Sequence, residues 1–319
     1  MSVGAEPLLA RPTSARRRQH SHSGHLRPGS QLVWGLAFAA PALLGFILWK
    51  LVPVVASFVV ALTDWNVARR AKWVGFENFQ RMLFHDPLFW KSLGVTAAYA
   101  VVAVPTSLAL AFALALLLNA KAPGQRIFRT LFYLPSIMPT IAVSVLWLWI
   151  LNPDLGLLNA MLDQIGAPHL QWLASETLVL PTLVLMNLWN VGPMMIIFLA
   201  ALQGVPRQLY EAVAIDGGGA WTRLRHVTIP MVTPAILFNV VIGSVGALQI
   251  FTQAYVMTDG GPNNSSLFMV FYIYRTGFRE SEMGYASALS WGLFAVTAAL
   301  SGFVFGSAKR WVFYESGDS

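Results

Sequence analysis

The sequence predicts an all-α integral membrane protein with six transmembrane helices. Only 11% of its 319 residues are charged and 56% are hydrophobic, whereas soluble chains carry about 25% charged residues. A soluble fold has too little interior to bury so much apolar surface, so lipid must surround much of the chain. Because hydrocarbon offers no hydrogen-bonding partner to an open sheet edge, the spanning segments are expected to be helices.

Six apolar stretches are long enough to cross a bilayer, which takes about 20 helical residues. They are Leu32–Leu62, Ser92–Leu118, Leu131–Leu151, Leu178–Leu202, Met231–Met257 and Tyr285–Ala308. Several contain proline or glycine, which membrane helices tolerate better than soluble ones. These stretches predict a six-span domain over residues 32–310, with a tail before it at 1–31 and a tail after it at 311–319.

The N-terminal tail is basic, short of apolar residues and rich in Ser, His and Pro, which is typical of a disordered segment. His20, His22 and His25 have metal-binding side chains, but nothing nearby completes a coordination shell, so we expect a solvated tail and no metal site. The chain has no cysteine, which excludes a disulfide framework. Lys50 lies within the first apolar stretch. A charge at membrane depth indicates a functional site by default, and snorkelling to the interface or facing a partner subunit are the alternatives.

The distribution of Lys and Arg predicts that both termini are cytoplasmic. With that orientation the inner segments hold thirteen of these residues and the outer segments six, in agreement with the positive-inside rule. The net charge of +7 then reflects cytoplasmic loops and does not indicate nucleic-acid binding. The segment 203–230 between spans four and five is placed in the cytoplasm.

That inner segment contains a polar stretch, YEAVAIDGGGAWTRLRHVTIP, between two apolar helices. Pro206 suits the first turn of a helix, because its missing N–H needs no partner there. A helix is expected over Arg207–Ile215, ended by Asp216 and three glycines, since glycine adopts the left-handed conformation that ends helices. A second short helix is expected over Ala220–Val227, and Pro230 is expected to begin the next span.

The same stretch resembles the EAA loop of ABC importer permeases, whose pattern is E-A-A, three residues, G, nine residues and I-x-L-P. Here Glu211, Ala212 and Val213 precede Gly217 at the family's spacing, and residues 227–230 close the pattern with conservative changes. The resemblance implies that residues 203–230 form a cytoplasmic coupling-helix loop gripped by an ATPase. The residues to which it assigns ATPase coupling are Glu211, Ala212, Asp216, Gly217 and Pro230.

Further segments resemble the carbohydrate-uptake branch of these permeases, which includes the maltose and glycerol-3-phosphate permeases. They include TDW at 63–65, GFENFQ at 75–80 and YIYRTGFRESEMGYASALS at 272–290, and the likeness covers about residues 32–310. The resemblance implies a prokaryotic cytoplasmic membrane, a second permease subunit, two ATP-binding subunits on the coupling loop, and an extracytoplasmic solute-binding protein. The chain contains no GxxxxGK[ST] loop, so it is expected to be no enzyme and to hold no cofactor of its own, with ATP and Mg bound by the partner ATPase.

Polar side chains on spans four and five predict where substrate passes. Asn187, Asn190 and Met194 share one helical stripe of span four. A face of span five carries Asn239, Gly243, Gly246, Ile250 and Gln253, with Gln249 at its edge. An amide buried in lipid without a partner costs several kcal/mol, so these side chains face protein or a cavity, and contact between helices is the alternative role. The candidate pathway residues are Asn187, Asn190, Gln249 and Gln253, and NLWNVGP around Asn187 resembles a maltose-permease segment in which the asparagine contacts sugar.

The predicted substrate is a neutral oligosaccharide or polyol. Apart from Lys50 the six stretches contain no Lys or Arg, whereas a phosphorylated substrate favours a fixed cation or a helix N-terminus. A glycerol-3-phosphate or glycerophosphodiester importer stays open, because the partner permease can supply a charge. A secondary transporter is disfavoured, since no Asp or Glu lies in the six stretches. Trp147, Trp149 and Trp189 lie within spans, where packing or stacking on a sugar ring are the alternatives.

Overall fold

The computed structural model describes residues 28–67, 70–120 and 124–313, and the regular elements within these ranges are helical. One isolated antiparallel bridge joins Thr63 and Trp73. The prediction of an all-helical membrane fold is confirmed at this level. Residues 1–27, which contain the tail histidines, and residues 314–319 of the C-terminal tail lie outside the described residues.

The helices are numbered α1 to α15 in chain order. They are α1 (Pro28–Phe46), α2 (Val52–Ala61), α3 (Glu77–Gln80), α4 (Pro87–Asn119), α5 (Gln125–Tyr133), α6 (Thr140–Ile150), α7 (Leu157–Gln164), α8 (Val179–Leu188), α9 (Gly192–Gln203), α10 (Arg207–Ile215), α11 (Ala220–Arg223), α12 (Ile229–Met231), α13 (Thr233–Leu248), α14 (Met269–Tyr274) and α15 (Met283–Trp311). Wide π-helical turns lie at Ile47–Leu51, Arg81–His85, Leu224–Thr228, Ala254–Thr258 and Arg275–Arg279, and a 3₁₀ turn lies at Leu134–Ile137.

The chain divides into two compact units, Met1–Val55 and Ala56–Ser319. The described part of the first unit consists of α1, the wide turn that contains Lys50, and the start of α2. Lys50 is exposed there, and its role stays open. The second unit contains the remaining helices and the features described below.

Three helical segments have the length and composition of a membrane span, namely Gly35–Ala61, Pro87–Asn119 and Met283–Trp311. Three further candidates are bent pairs: Gln125–Ile137 with Thr140–Ile150 at 99°, Val179–Leu188 with Gly192–Gln203 at 47°, and Ala220–Met231 with Thr233–Leu248 at 64°. The described residues therefore hold three to six candidate spans. The six-span count stays a prediction.

Proline lies at each of the three bends. Pro135 and Pro139 flank the break before α6, Pro193 lies in the first turn of α9, and Pro234 lies in the first turn of α13. Proline donates no backbone hydrogen bond and its ring excludes the preceding turn of helix, so a helix bends or ends there. The apolar stretch Leu131–Leu151 is accordingly not one straight helix.

Gly192, at the start of α9, lies directly against the backbone of the segment that leaves α5. A Cβ atom built on Gly192 would lie 2.5 Å from the carbonyl oxygen of Phe132 and 2.8 Å from Cα of Tyr133. Both distances are too short for a carbon atom, so only glycine permits this approach. The start of α9 thus packs on the C-terminal end of α5, backbone against backbone.

Two apolar clusters pack along α4. The first surrounds its N-terminal half, including Phe89 and Tyr99, with residues from α8, α14 and α15. The second surrounds its C-terminal half, including Ala111 and Leu118, with residues from α9 and with Val227 and Val232. The long helix α4 is therefore the common support of the bundle.

The segments predicted to lie outside contact one another at one end of α4. Asp86 caps α4 by accepting from the backbone N–H of Leu88, and its other oxygen accepts hydrogen bonds from the hydroxyls of Tyr272, at 2.6 Å, and Tyr285. Burial raises the pKa of Tyr272, and its hydrogen bond to Asp86 raises it further, so this phenol stays a donor. At the other end of α4, Arg129 Nη2 donates to the carbonyl oxygen of Leu118 at 3.3 Å.

Candidate functional site

A cavity of about 420 Å³ lies between α4, the α8–α9 bend and the C-terminal end of α13. This volume lies within the range of small-molecule sites. All four candidate pathway residues, Asn187, Asn190, Gln249 and Gln253, line it. The structure thus brings the predicted residues together around one space, and their contact with a substrate stays a prediction.

Helix ends place these amides in the cavity. Asn187 is on the last turn of α8 and Asn190 lies in the bend that follows. Gln249 is the residue that ends α13, and Gln253 comes after a short non-helical stretch. The expectation of one continuous helical face from Asn239 to Gln253 is therefore wrong, because α13 ends at Leu248 and helical backbone resumes only at Thr252.

Asn187 also holds two helices together. Its Nδ2 donates to Oγ of Ser107 on α4 at 3.0 Å, and Ser107 is buried and lines the same cavity. Asn187 therefore makes the contact between helices that was one of its two possible roles, and its contact with a substrate stays a prediction.

Asn239 on α13 is a further candidate that was noted on the predicted face but not chosen. It is only 1% exposed, and its Nδ2 donates to the carbonyl oxygen of Met194 at a long 3.5 Å. Its Oδ1 is buried without a hydrogen-bond partner in the described part of the chain. Buried polar atoms are nearly always paired, so Asn239 is a further amide in the cavity wall whose hydrogen bonding the described residues leave incomplete.

Tryptophan side chains do not line this cavity. Trp147 and Trp189 contact each other edge to face with 5.7 Å between ring centroids, and both line a separate, apolar cavity with Leu158 and Leu185. Trp149 is 63% exposed on α6. The structure favours packing for Trp147 and Trp189 over stacking on a sugar.

The inner polar stretch forms two helical arms joined at a glycine. The first arm is α10, whose bounds coincide with the predicted ones. Asp216 ends it, and Gly217 has a φ of +78° with its N–H donating to the carbonyl oxygen of Ala214. Gly218 is equally constrained, since a Cβ there would lie 2.9 Å from the carbonyl oxygen of Val213.

The second arm is longer than predicted. Residues 220–231 run as one helical segment through α11, a wide turn and α12, whereas a separate helix over Ala220–Val227 was expected. Pro230 lies within this arm and does not begin the next span. The straight part of span five begins at Thr233, after the 64° bend, because Pro234 lacks the N–H that would continue the preceding helix.

One face of α10 is anchored and the other is exposed. Tyr210 and Val213 pack against the second apolar cluster, and the hydroxyl of Tyr210 lies 3.1 Å from Oγ1 of Thr228 on the second arm. On the opposite side Glu211 and Ala212 are exposed. The exposed fraction is 87% for Ile215 and 70% for Trp221 on the second arm.

The comparison with known families gives one match over most of the bundle. Residues 103–311 match the family described as "Binding-protein-dependent transport system inner membrane component", which is about two thirds of the chain. The match includes the whole of the cavity-lining helices α8, α9 and α13 and both arms of the inner segment.

Individual relatives extend the match to nearly the full chain. The chain is 36% identical over 286 residues to "Probable ABC transporter permease protein YesP" of Bacillus subtilis, covering 88% of this chain and 92% of the relative. It is 35% identical over 283 residues to "Lactose transport system permease protein LacF" of Rhizobium radiobacter, covering 86% and 94%. It is 31% identical over 316 residues to "Diacetylchitobiose uptake system permease protein NgcF" of Streptomyces coelicolor, covering 94% and 89%.

Among solved structures, the fold resembles a chain of a bacterial alginate ABC transporter crystallised with an alginate pentasaccharide-bound periplasmic protein. The TM-score is 0.78 at 22% identity, over 88% of this chain and 96% of that one, so the two share a fold. The predicted resemblance to ABC importer permeases is confirmed by these matches. The chain belongs to the family of binding-protein-dependent transport system inner membrane components, the permease subunits of ABC transporters.

Proposed function

We propose that this chain is one permease subunit of an ATP-driven sugar importer and forms half of the pathway for a neutral saccharide. The observation that carries the proposal is the convergence of five amide side chains, the four candidates and Asn239, on one cavity between the α8–α9 bend and α13. Amides both donate to and accept from sugar hydroxyls. The relatives named for lactose and diacetylchitobiose uptake support the same substrate class.

The charge of the cavity favours a neutral substrate over the alternatives. Among the described residues that line it there is no Lys, Arg, Asp or Glu. A phosphorylated substrate such as glycerol-3-phosphate lacks a cationic partner on this side of the pathway, and a proton- or sodium-coupled transporter lacks an acid. A saccharide needs neither.

ATP hydrolysis is assigned to partner ATPase subunits that dock on the exposed side of α10. Glu211, Ala212 and Ile215 supply a mixed polar and apolar surface there, and large apolar side chains as exposed as Ile215 suit a contact with another protein. The anchored side, Tyr210 and Val213, packs on the cluster that holds α4 and α9. A displacement of α10 is therefore passed directly to the helices beside the cavity.

The proposal is tested by uptake into proteoliposomes that contain the chain with its co-purified ATPase and second permease, supplied with the solute-binding protein. Labelled lactose, diacetylchitobiose, maltotriose and glycerol-3-phosphate are the probes. We expect ATP-dependent uptake of a neutral saccharide and none of glycerol-3-phosphate. If glycerol-3-phosphate alone were taken up, the proposed neutral saccharide would be the wrong substrate class. If ATPase subunits were absent from the purified complex, the assignment of the chain to an ATP-driven importer would be overturned.

Three variants separate substrate contact from helix contact in the same assay. Asn239→Ala removes the unpartnered acceptor, so uptake per assembled complex should fall about threefold to tenfold with little change in melting temperature, as for one hydrogen bond of roughly 0.5–1.5 kcal/mol. Asn187→Ala should lower uptake more than Ser107→Ala does, because both remove the hydrogen bond between α8 and α4 but only Asn187→Ala also removes an amide from the cavity wall. Equal effects of those two variants would make Asn187 structural.

The proposed orientation places both termini and residues 203–230 in the cytoplasm, and the cysteine-free chain permits a direct test. In intact cells an impermeant thiol reagent should label Gln164→Cys, on the exposed segment after span three, and should label Asn119→Cys only after permeabilisation. Both native residues are exposed with helical backbone, so cysteine fits without strain. The reverse labelling pattern would invert the topology.

A further inference from the structure

A run of aromatic side chains leads from the cavity wall to an exposed surface. Phe251 lines the cavity, and its ring is stacked on Tyr255 with 5.3 Å between centroids and 13° between planes. Tyr274 lies 5.2 Å from both rings, and Phe278 stacks on Tyr274 at 5.3 Å. These four residues, Phe251, Tyr255, Tyr274 and Phe278, are called the aromatic run.

The outer members of the run present their rings to the surroundings. Tyr255 is 41% exposed and Phe278 is 67% exposed. Behind them the fully buried Phe271 lies 6.3 Å from Tyr255 and 6.4 Å from Tyr274, within the cluster around the N-terminal half of α4. The exposed rings are therefore held in position by a packed support.

An ion pair borders the run. The guanidinium of Arg279 lies 5.6 Å from the ring centroid of Tyr255 and 5.9 Å from that of Tyr274. Its Nη1 bonds Oδ1 of Asp259 at 2.7 Å, with both side chains partly exposed. The partly exposed rings thus adjoin groups that donate and accept hydrogen bonds.

We propose that the aromatic run is an approach path that binds the saccharide before it reaches the amide-lined cavity, an inference that rests on the proposed function. A sugar ring has an apolar C–H face and a polar hydroxyl edge. Aromatic faces with a few placed polar groups match both features. Continuity through Phe251 joins the path to the cavity.

The test compares ring-removing with ring-keeping variants in the reconstituted complex, with lactose or diacetylchitobiose as probe according to which the unaltered complex imports. Tyr255→Leu and Phe278→Leu keep apolar bulk but lose the ring. Each should lower sugar imported per ATP hydrolysed about threefold to tenfold, the effect of one aromatic contact. Tyr255→Phe and Phe278→Tyr should stay within about twofold. Phe84→Leu, which replaces a 77% exposed aromatic outside the run, is the matched control.

The remaining outcomes overturn the inference and show which part fails. Equal import per ATP by the leucine variants and the unaltered complex would refute the path while leaving the proposed function in place. Loss of the second permease from the purified Phe278→Leu complex would show that the run is a subunit interface. An unaltered complex that imports neither sugar would refute the path together with the proposed function.

Discussion

Gly217→Val is expected to lower ATP-driven sugar uptake at least tenfold while the chain still inserts into the membrane. Gly217 has a φ of +78°, and a β-branched side chain in that region costs roughly 1–3 kcal/mol. No atom of the described residues lies within 4 Å of the added Cβ position, so the expected cost at Cβ is backbone strain. The joint between α10 and the second arm relieves that strain by opening, which displaces the exposed face of α10 from its proposed partner.

The measurement is uptake, ATP hydrolysis and co-purifying ATPase for the same preparation. We expect either loss of the ATPase or hydrolysis that no longer drives uptake. Gly219→Ala is the matched control, because Gly219 has an ordinary φ of −79° and nothing within 4 Å of its Cβ position. If Gly217→Val left transport unchanged, the assignment of Gly217 to ATPase coupling would be wrong. If Gly219→Ala lowered transport equally, the left-handed backbone conformation of Gly217 would not be the cause of the loss.

Asn159→Leu is expected to give the largest loss of stability. Asn159 is 1% exposed, and its Nδ2 donates to the carbonyl oxygens of Pro153 at 2.8 Å and Leu170 at 3.1 Å. Its Oδ1 accepts from the backbone N–H of Leu170 at 3.2 Å and from Nε1 of Trp172 at 2.9 Å. Leucine has similar bulk but leaves these partners unpaired, at roughly 1–3 kcal/mol for each buried group.

The free energy of unfolding should therefore fall by about 3 kcal/mol or more, which corresponds to roughly 5–10 °C in melting temperature. The assay is thermal denaturation of the purified complex in detergent. Asn152→Ala is the control, because Asn152 accepts two backbone hydrogen bonds in the same segment but is exposed, so water replaces its side chain. If Asn159→Leu melted at the same temperature as Asn152→Ala, the Asn159 side chain would not be what stabilises the segment 152–177.

Local helix start and stop signals predicted some elements well. Pro206 and Gly217 bracket α10, and both act through the backbone of their own positions, so no tertiary information is needed. The positions of the apolar stretches were equally accessible, since hydropathy records which residues avoid water. The convergence of Asn187, Asn190, Gln249 and Gln253 followed from their sharing two neighbouring spans.

Other features depend on contacts that hydropathy does not describe. Hydropathy carries no information on bend angles, so the 99° bend before α6 was not predicted although its prolines are visible in the sequence. Residues 258–284, between the fifth and sixth predicted spans, contain α14, and Phe268 just before it and Met269 and Phe271 within it are fully buried. That apolar run is too short to span a bilayer, and its burial is explained only by its packing against α4. The role of Asn159 is likewise set by partners up to thirteen residues away.

The contact at Gly192 has a consequence for how a signal crosses the subunit. Side chains between two helices absorb small movements by changing rotamer, but here backbone meets backbone with no room for even a methyl group. A tilt of α9 is therefore expected to displace the backbone of Phe132 and Tyr133 with it. Movements of α9 and of the C-terminal end of α5 are therefore expected to occur together, as one step.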